Sequence, residues 1–489
     1  MQLARGQRAC HRRGFAPFTN ARPRQTCRDT RCWGERRSAN RASWALVEPD
    51  SEVLGGSIEQ HDSGKVTAQA AEASVETAED LIWRCAAELA PAFASIDRRV
   101  ARNLRRAQEA FRAARVGPHH FQGSTGYGHG DLGREALDHV FAEIMGAEAG
   151  LVRIQFMSGT HAIAAALYAV LRPGDEMLAV AGKPYDTLEE VIGLRGTPGH
   201  GSLAEWGVSY RELALAPGGG VDWDALATAI VPGKTRVAHV QRSCGYALRP
   251  TLSIDEIERI VRVVKAQDPN VVVVVDNCYG EFTEDREPPA VGADLAMGSL
   301  IKNGGGTLAP GGGYVAGRAD LVAAAAARLA APGIGIDAGG VSGETLRILF
   351  QGLFMGAQTT GEALKGGRLV AQVMASQGFN VIPAPGMDHT PSMITAVELG
   401  SPQRMEAFCR GIQRRCAVGS YILPVPGVTA GYGDEVIFAD GTFVDGSTAE
   451  LSADGPLRPP YVVYCQGGTH WTHWAIALES AIEELRKCE

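Results

Sequence analysis

Residues 271–275 are five consecutive valines, and they run straight into a carboxylate, Asp276. An unbroken β-branched run of this length suits a strand covered on both faces, as in a parallel sheet, because a half-exposed strand alternates apolar with polar. Open α/β sheets hold their ligands at the carboxyl ends of strands, where Asp276 falls. The neighbouring sequence repeats the same alternation. A strand over 151–157 leads into a helix over 161–171, strands follow over 177–181 and 236–241, and a helix over 254–266 opens on the capping-box pattern Ser253-Ile-Asp-Glu256. The expected fold class is α/β, with a mostly parallel sheet covered by helices on both faces.

Before this core, residues 71–116 carry helical periodicity broken at Pro91, and the stretch 96–116 is an arginine-rich solvated face. From about residue 367 the pattern changes to strands over 393–399 and 461–465 mixed with helices over 402–416 and 473–487. That gives a large domain over 71–366 and a smaller α+β domain over 367–489. A chain of 489 residues has room for both cores.

The formal charge of -8 hides an asymmetry: residues 1–45 hold eleven arginines, no lysine, and only Asp29 and Glu35 as acids. That segment is therefore +9 and the remainder -17. An Arg-rich, acid-poor start without a long apolar run reads as a plastid or mitochondrial transit peptide, with 1–60 a disordered leader and linker. The alternatives are a misassigned start or a basic tail, which would leave the protein cytoplasmic. The acidic remainder gives no reason to expect nucleic acid as a partner. No apolar run reaches the roughly 18–20 residues a membrane span needs. The ten cysteines contain no CxxC pair and read as reduced thiols; Cys278, beside Asp276, reads either as a small apolar filler or as a residue touching a site.

Three short segments carry chemistry. Ser158-Gly159-Thr160 stands between a strand and a helix, where free N–H groups and the helix dipole favour a phosphate. About two dozen residues after Asp276, Lys302 enters the glycine-rich turn Asn303-Gly304-Gly305-Gly306, with Ser299 three positions earlier as a further phosphate donor. A lysine and an acid on neighbouring strand ends are what pyridoxal phosphate requires: the lysine forms the Schiff base, and the acid keeps the pyridine nitrogen protonated so the ring acts as an electron sink. Tyr185, just past another strand end, offers an aromatic face to stack on that ring. Three other matches fail. Gly128-His-Gly130-Asp-Leu-Gly133 lacks the preceding strand of a dinucleotide site, Ser299-Leu-Ile-Lys302 lacks the partners of a serine enzyme, and His470 with His473 lacks a third metal ligand, so no metal is expected.

The run from Phe121-Gln-Gly-Ser-Thr-Gly-Tyr-Gly-His-Gly-Asp-Leu-Gly-Arg134 through Gln155-Phe-Met-Ser-Gly-Thr-His-Ala-Ile163, with Pro184-Tyr-Asp-Thr-Leu, Val275-Asp-Asn-Cys-Tyr-Gly-Glu-Phe282, Leu349-Phe-Gln-Gly-Leu-Phe354 and Leu457-Arg-Pro-Pro-Tyr461, resembles the methionine gamma-lyase-like family. That family is also labelled aluminium resistance protein or cystathionine beta-lyase-like, and the resemblance covers roughly residues 75–489. It implies a fold-type-I pyridoxal phosphate enzyme working as a homodimer or homotetramer on a small amino-acid substrate. By matching position it gives Lys302 and Asp276 the roles above, Tyr185 the stacking position, and Gly159, Thr160 and Ser299 the phosphate. In the broader family a Tyr and an Arg two residues apart reach the partner subunit's phosphate. Here Tyr127 and Arg134 stand seven apart, and Ile301 precedes the lysine where Thr is usual. Arg458, on a rigid turn before strand 461–465, is the candidate for the substrate carboxylate, a role that related lyases also give to an arginine of the smaller domain.

The expected reaction is carbon–sulfur elimination from a cystathionine- or methionine-type amino acid. Lys302 would remove the α-proton and Tyr185 assist the departing sulfur. An aminotransferase, aldolase or decarboxylase would share the carbanion stage, and a cofactor-binding protein without turnover, linked to metal tolerance, is a third reading.

Overall fold

The computed structural model describes residues 45–46, 76–387 and 391–488; the rest of the leader and linker of the sequence reading lies outside the described residues. Two helices open the described chain, α1 (Ala78–Glu88), N-capped by Thr77, and α2 (Ala90–Ala113), and α3 (Leu132–Met145), N-capped by Asp131, leads into the large sheet. Pro91 stands in the first turn of α2, where a missing N–H costs nothing, so the break falls at Leu89.

The large sheet has seven strands: β1 (Ala149–Arg153), β2 (Glu176–Ala179), β3 (Ser209–Glu212), β4 (Thr235–Gln241), β5 (Val272–Asp276), β6 (Leu295–Ser299) and β7 (Gly313–Gly317). Their order in space is β1-β7-β6-β5-β4-β2-β3, parallel from β6 through β3, with β7 antiparallel to both its neighbours. The valine strand lies in the middle and is buried over its whole length. Alternation divides it between two cores. Val272 and Val274, with Leu295 and Met297, pack toward α4 (Gly159–Val170), while Val273 and Val275 pack toward α5 (Ile254–Gln267). Asp276 and Ser299 continue the first set, so both face the side on which α4 begins. The capping box of α5 forms as expected, with Ser253 Oγ accepting from Glu256 N–H.

A 34-residue helix, α6 (Gly343–Ser376), runs through the expected boundary at 366/367 and joins the two halves. Beyond it, β8 (Asn380–Ile382), β9 (Ile394–Glu398), β10 (Val436–Asp440), β11 (Ser452–Pro456) and β12 (Val462–Gln466) form an antiparallel sheet in the order β10-β11-β12-β9-β8. One face carries Val397, Ile437, Val463 and Cys465 against α7 (Pro402–Gln413) and α8 (Trp471–Arg486). Leu81, Ile82 and Cys85 of α1 enter this core, so the first described helix packs with the smaller sheet. The other face carries Ala396, Val462 and Tyr464 against Cys244, Tyr246 and Tyr279 of the large domain. The candidate site lies along that second contact. The backbone of Ala45–Leu46 pairs with Ile422–Leu423. Among the described residues no helix is long and apolar enough to cross a membrane.

Candidate active site

Asp276 closes β5 and is buried. One oxygen accepts from the Cys278 N–H at 3.1 Å, and the carboxylate takes part in none of the described ion pairs. Burial pushes its pKa up, against the pull of the Cys278 N–H and the nearby Arg249 charge. A buried carboxylate without a counter-ion is an unsatisfied charge, and a cationic N–H is the group that satisfies it. Gln241, registered opposite Asp276 on β4, adds a buried side-chain oxygen with no hydrogen-bond partner.

Twenty-three residues after Asp276, β6 delivers Ser299 and, through a tight turn, Lys302. Glycine is required around that turn. A side chain on Gly305 would overlap the Leu300 carbonyl, and one on Gly306 (φ +54°) would overlap the carbonyl of Gly352 on α6. Gly352 and Gly356, one helical turn apart, let the α6 backbone rest directly on residues 303–306. Lys302 is half-buried, and burial lowers its amine pKa. Its Nζ donates to Thr448 Oγ1 at 2.8 Å and to Gly446 O at 3.2 Å.

The helix α4 begins against the same place. Ser158 caps it, its Oγ accepting from His161 N–H at 3.1 Å. The first N–H groups of a helix have no acceptor within it, and those of Gly159 and Thr160 find none elsewhere among the described contacts. A Cβ on Gly159 would stand 3.0 Å from Ser299 Cβ and 3.4 Å from Cys278 Sγ, so the helix start is pressed onto β6 and the loop after β5. Ser299 Oγ likewise has no described partner, whereas Thr160 Oγ1 is engaged with Thr187 Oγ1 at 2.9 Å. Free amides, an unspent hydroxyl and the positive end of the dipole make an anion cradle.

Tyr185 stands over a cleft of about 320 Å³ whose lining includes Lys183, Gln241, Tyr246, Asp434 and Arg458. Its Oη lies 2.7 Å from Tyr432 Oη, and its ring meets those of Tyr246 and Tyr432 edge-on at 5.6 and 5.9 Å. Burial holds the Tyr185 phenol well above its ordinary pKa. Tyr246 Oη donates at 2.6 Å to Asp454, a buried carboxylate that also accepts from Ser452 Oγ and, at 2.8 Å, from Gln466 Nε2. Arg458 is at the mouth, paired to Asp434 at 2.6 Å with both side chains half-exposed.

Tyr127 and Arg134 go elsewhere. Tyr127 is 65% exposed and stacks on His129. Arg134 is buried and spends its guanidinium on Asp131, Ala338 O at 2.6 Å and Gly128 O. No described contact links either residue to Lys302, Asp276 or Tyr185. The sequence reading missed Tyr246, Tyr279, Tyr432, Thr448 and Asp454. Tyr279 was within view, three residues after Asp276, while the last three come from the smaller domain with no motif to mark them.

Lysine, buried acid, anion cradle and aromatic lid, spaced along the carboxyl edge of one sheet, fit a flat phosphorylated pyridine aldehyde. The architecture is that of the fold-type-I pyridoxal phosphate enzymes. Residues 78–486 match the methionine gamma-lyase family model, and the chain belongs to that family, whose enzymes depend on pyridoxal phosphate. It is 45% identical over 410 residues to the uncharacterized protein YnbB of Bacillus subtilis, covering 83% of this chain and 97% of that one. A Listeria monocytogenes protein, named as an unconfirmed cystathionine beta-lyase involved in aluminium resistance, has a solved structure with TM-score 0.80 and 41% identity, covering 83% of this chain and 99% of that one. A carbon–sulfur lyase involved in aluminium resistance from Clostridium novyi gives TM-score 0.79 and 38% identity, covering 83% and 95%. These relatives are bacterial, and they lend the transit-peptide reading no support.

Proposed function

We propose that this chain is a pyridoxal-phosphate-dependent carbon–sulfur lyase acting on a sulfur amino acid of the cystathionine or methionine type, by α-proton removal and loss of a thiol. The observation that carries the reading is the convergence of Lys302, the unpaired Asp276 and the free amides of Gly159 and Thr160 on one sheet edge. Lys302 would hold the cofactor, Asp276 would keep a proton on its ring nitrogen, and Gly159, Thr160, Ser158 and Ser299 would receive its phosphate. Bound there, the cofactor supplies an electron sink for the carbanion formed at Cα.

The remaining steps belong to the chain. Lys302 Nζ takes the proton from Cα. Tyr185, kept as a phenol by burial, stands ready to hand a proton to the departing sulfur. The Tyr185, Tyr246 and Tyr432 rings exclude water from the cleft, and Arg458 receives the substrate carboxylate by exchanging Asp434 for it. Tyr127, exposed and unused by its own site, is offered to a partner copy in a homodimer or homotetramer, whereas Arg134, buried and engaged with Asp131, Ala338 O and Gly128 O, is held within its own chain.

The test is direct. Purified protein should show the visible absorption band of a lysine-bound cofactor, and Lys302→Ala should lose it. A panel of sulfur amino acids should yield thiol together with keto acid. Keto acid without thiol would point to an aminotransferase and sink the lyase reading.

A further inference from the structure

The Lys302 side chain rises from the large domain and ends on the smaller one. Its amine meets three groups: Thr448 Oγ1 at 2.8 Å, Gly446 O at 3.2 Å and the Tyr279 ring, whose centre is 4.8 Å away. Thr448 Oγ1 donates its own hydrogen to Tyr279 Oη, 3.1 Å away. A hydroxyl has a single hydrogen, so Thr448 presents a lone pair to the amine. The Gly446 carbonyl is an acceptor, and the ring face is negative. All three suit an ammonium and none offers a hydrogen to a neutral amine.

The backbone is committed to this arrangement. Tyr279 holds φ +69°, a region that bulky residues occupy only when their surroundings impose it. Gly446 turns at φ +74°, and Ser447 Oγ donates to Ile301 O at 3.0 Å, fastening the loop beside the lysine.

Other groups face the amine: Cys278, Glu281 and Tyr279 from the loop after β5, Asp454 from β11, Asp440 from β10, and Tyr432. Burial keeps the Cys278 thiol and the Tyr279 and Tyr432 phenols protonated, and the Asp454 oxygens are engaged with Ser452, Tyr246 and Gln466. None of them forms an ion pair with Lys302 among the described residues, so Thr448, Gly446 and the ring are its immediate partners.

We propose that Gly446 O and Thr448 Oγ1, delivered by the smaller domain, and the Tyr279 ring of the large domain form a seat that receives the Lys302 amine whenever it is not bonded to the cofactor and favours its protonated form. The inference rests on the lyase reading for one point, that Lys302 is the base. The Nζ lone pair takes the Cα proton, the C–H electron pair stays on the carbon side, and the seat meets the ammonium so formed. Thr448 acts through Lys302 and is a positioning residue.

The experiment uses the full-length chain freed of cofactor. Labelling of Lys302 by acetic anhydride, followed across pH by peptide mass spectrometry, gives the pKa of its amine. Thr448→Val should lower that pKa by about one unit, a tenfold change in proton affinity. Thr448→Ser should restore it, which separates a lost acceptor from a disturbed fold. Tyr279→Phe should lower it by less, because the Thr448 hydrogen is then free to turn toward the amine. In the loaded enzyme Thr448→Val should slow kcat about tenfold with KM unchanged. An unchanged or raised amine pKa in Thr448→Val, or a failed rescue by Ser, overturns the seat. Absence of thiol release from every sulfur amino acid would instead overturn the lyase reading and leave the amine measurement standing.

Discussion

Tyr185 and Tyr432 bring their phenol oxygens to 2.7 Å although 247 residues separate them. One follows β2 in the large domain and the other precedes β10 in the smaller, so this pair ties the domains together over the cleft. Burial raises Tyr185 well above its ordinary range and pushes Tyr432 up to about 12, so at neutral pH both are phenols and one donates to the other.

The pair should therefore act as a unit. Tyr185→Phe and Tyr432→Phe are each expected to lower kcat about fivefold, and the double variant no more than about tenfold, because residues sharing a hydrogen bond are not additive. A double-mutant cycle on steady-state rates checks this; a product near twenty-five-fold would mean the hydroxyls work separately.

Gly159→Ala tests the anion cradle. The new Cβ would stand 3.0 Å from Ser299 Cβ and 3.3 Å from Ser299 N, and the start of α4 must give by a few tenths of an ångström to admit it. Cofactor affinity should fall about tenfold, the scale set by losing one good contact to a charged group. Gly159 needs no left-handed backbone, so the melting temperature of the cofactor-free chain should barely change. Titration with pyridoxal phosphate beside a thermal melt reads both.

How far the sequence led depended on how local each signal was. The valine strand announced Asp276, and Ser158-Gly159-Thr160 announced the helix start, because both depend on residues a few positions apart. The strand Ser452-Ala-Asp-Gly-Pro456 was illegible: Asp, Gly and Pro are depleted in strands, and pairing with β10 and β12 imposes the conformation. Thr448 reaches Lys302 across 146 residues, a relationship no window of sequence contains. The helix α6 was obscured by Gly352, Gly356 and Gly361, which weaken helical propensity but permit close approach to the lysine loop and to Val100.

Glu281 gives a pH prediction. Burial pushes its carboxyl up to about 8; Tyr314 Oη donates to one oxygen at 2.7 Å and the other has no partner. In the unfolded chain the ordinary value is 4.5. Between these values the folded state holds a proton that the unfolded state releases, so stability is full below about 4.5 and is lost as pH rises through about 8. Glu281→Gln keeps a neutral side chain at every pH. Its melting temperature should match wild type in acid and exceed it above pH 8, and parallel curves would show that Glu281 does not ionise in this window.

Arg458 is the test of substrate binding. Its ion pair with Asp434 is half-exposed on both sides, which makes it weak enough to exchange. A substrate carboxylate entering the cleft between Tyr185 and Arg458 offers the same two-oxygen fork with less freedom to lose. Arg458→Ala should raise KM about tenfold and leave the cofactor band unchanged, since the arginine touches neither Lys302 nor Asp276. Asp434→Asn should do the opposite, lowering KM by removing the competitor. If Asp434→Asn raises KM as Arg458→Ala does, the pair is holding the cleft mouth together, and the carboxylate is bound elsewhere.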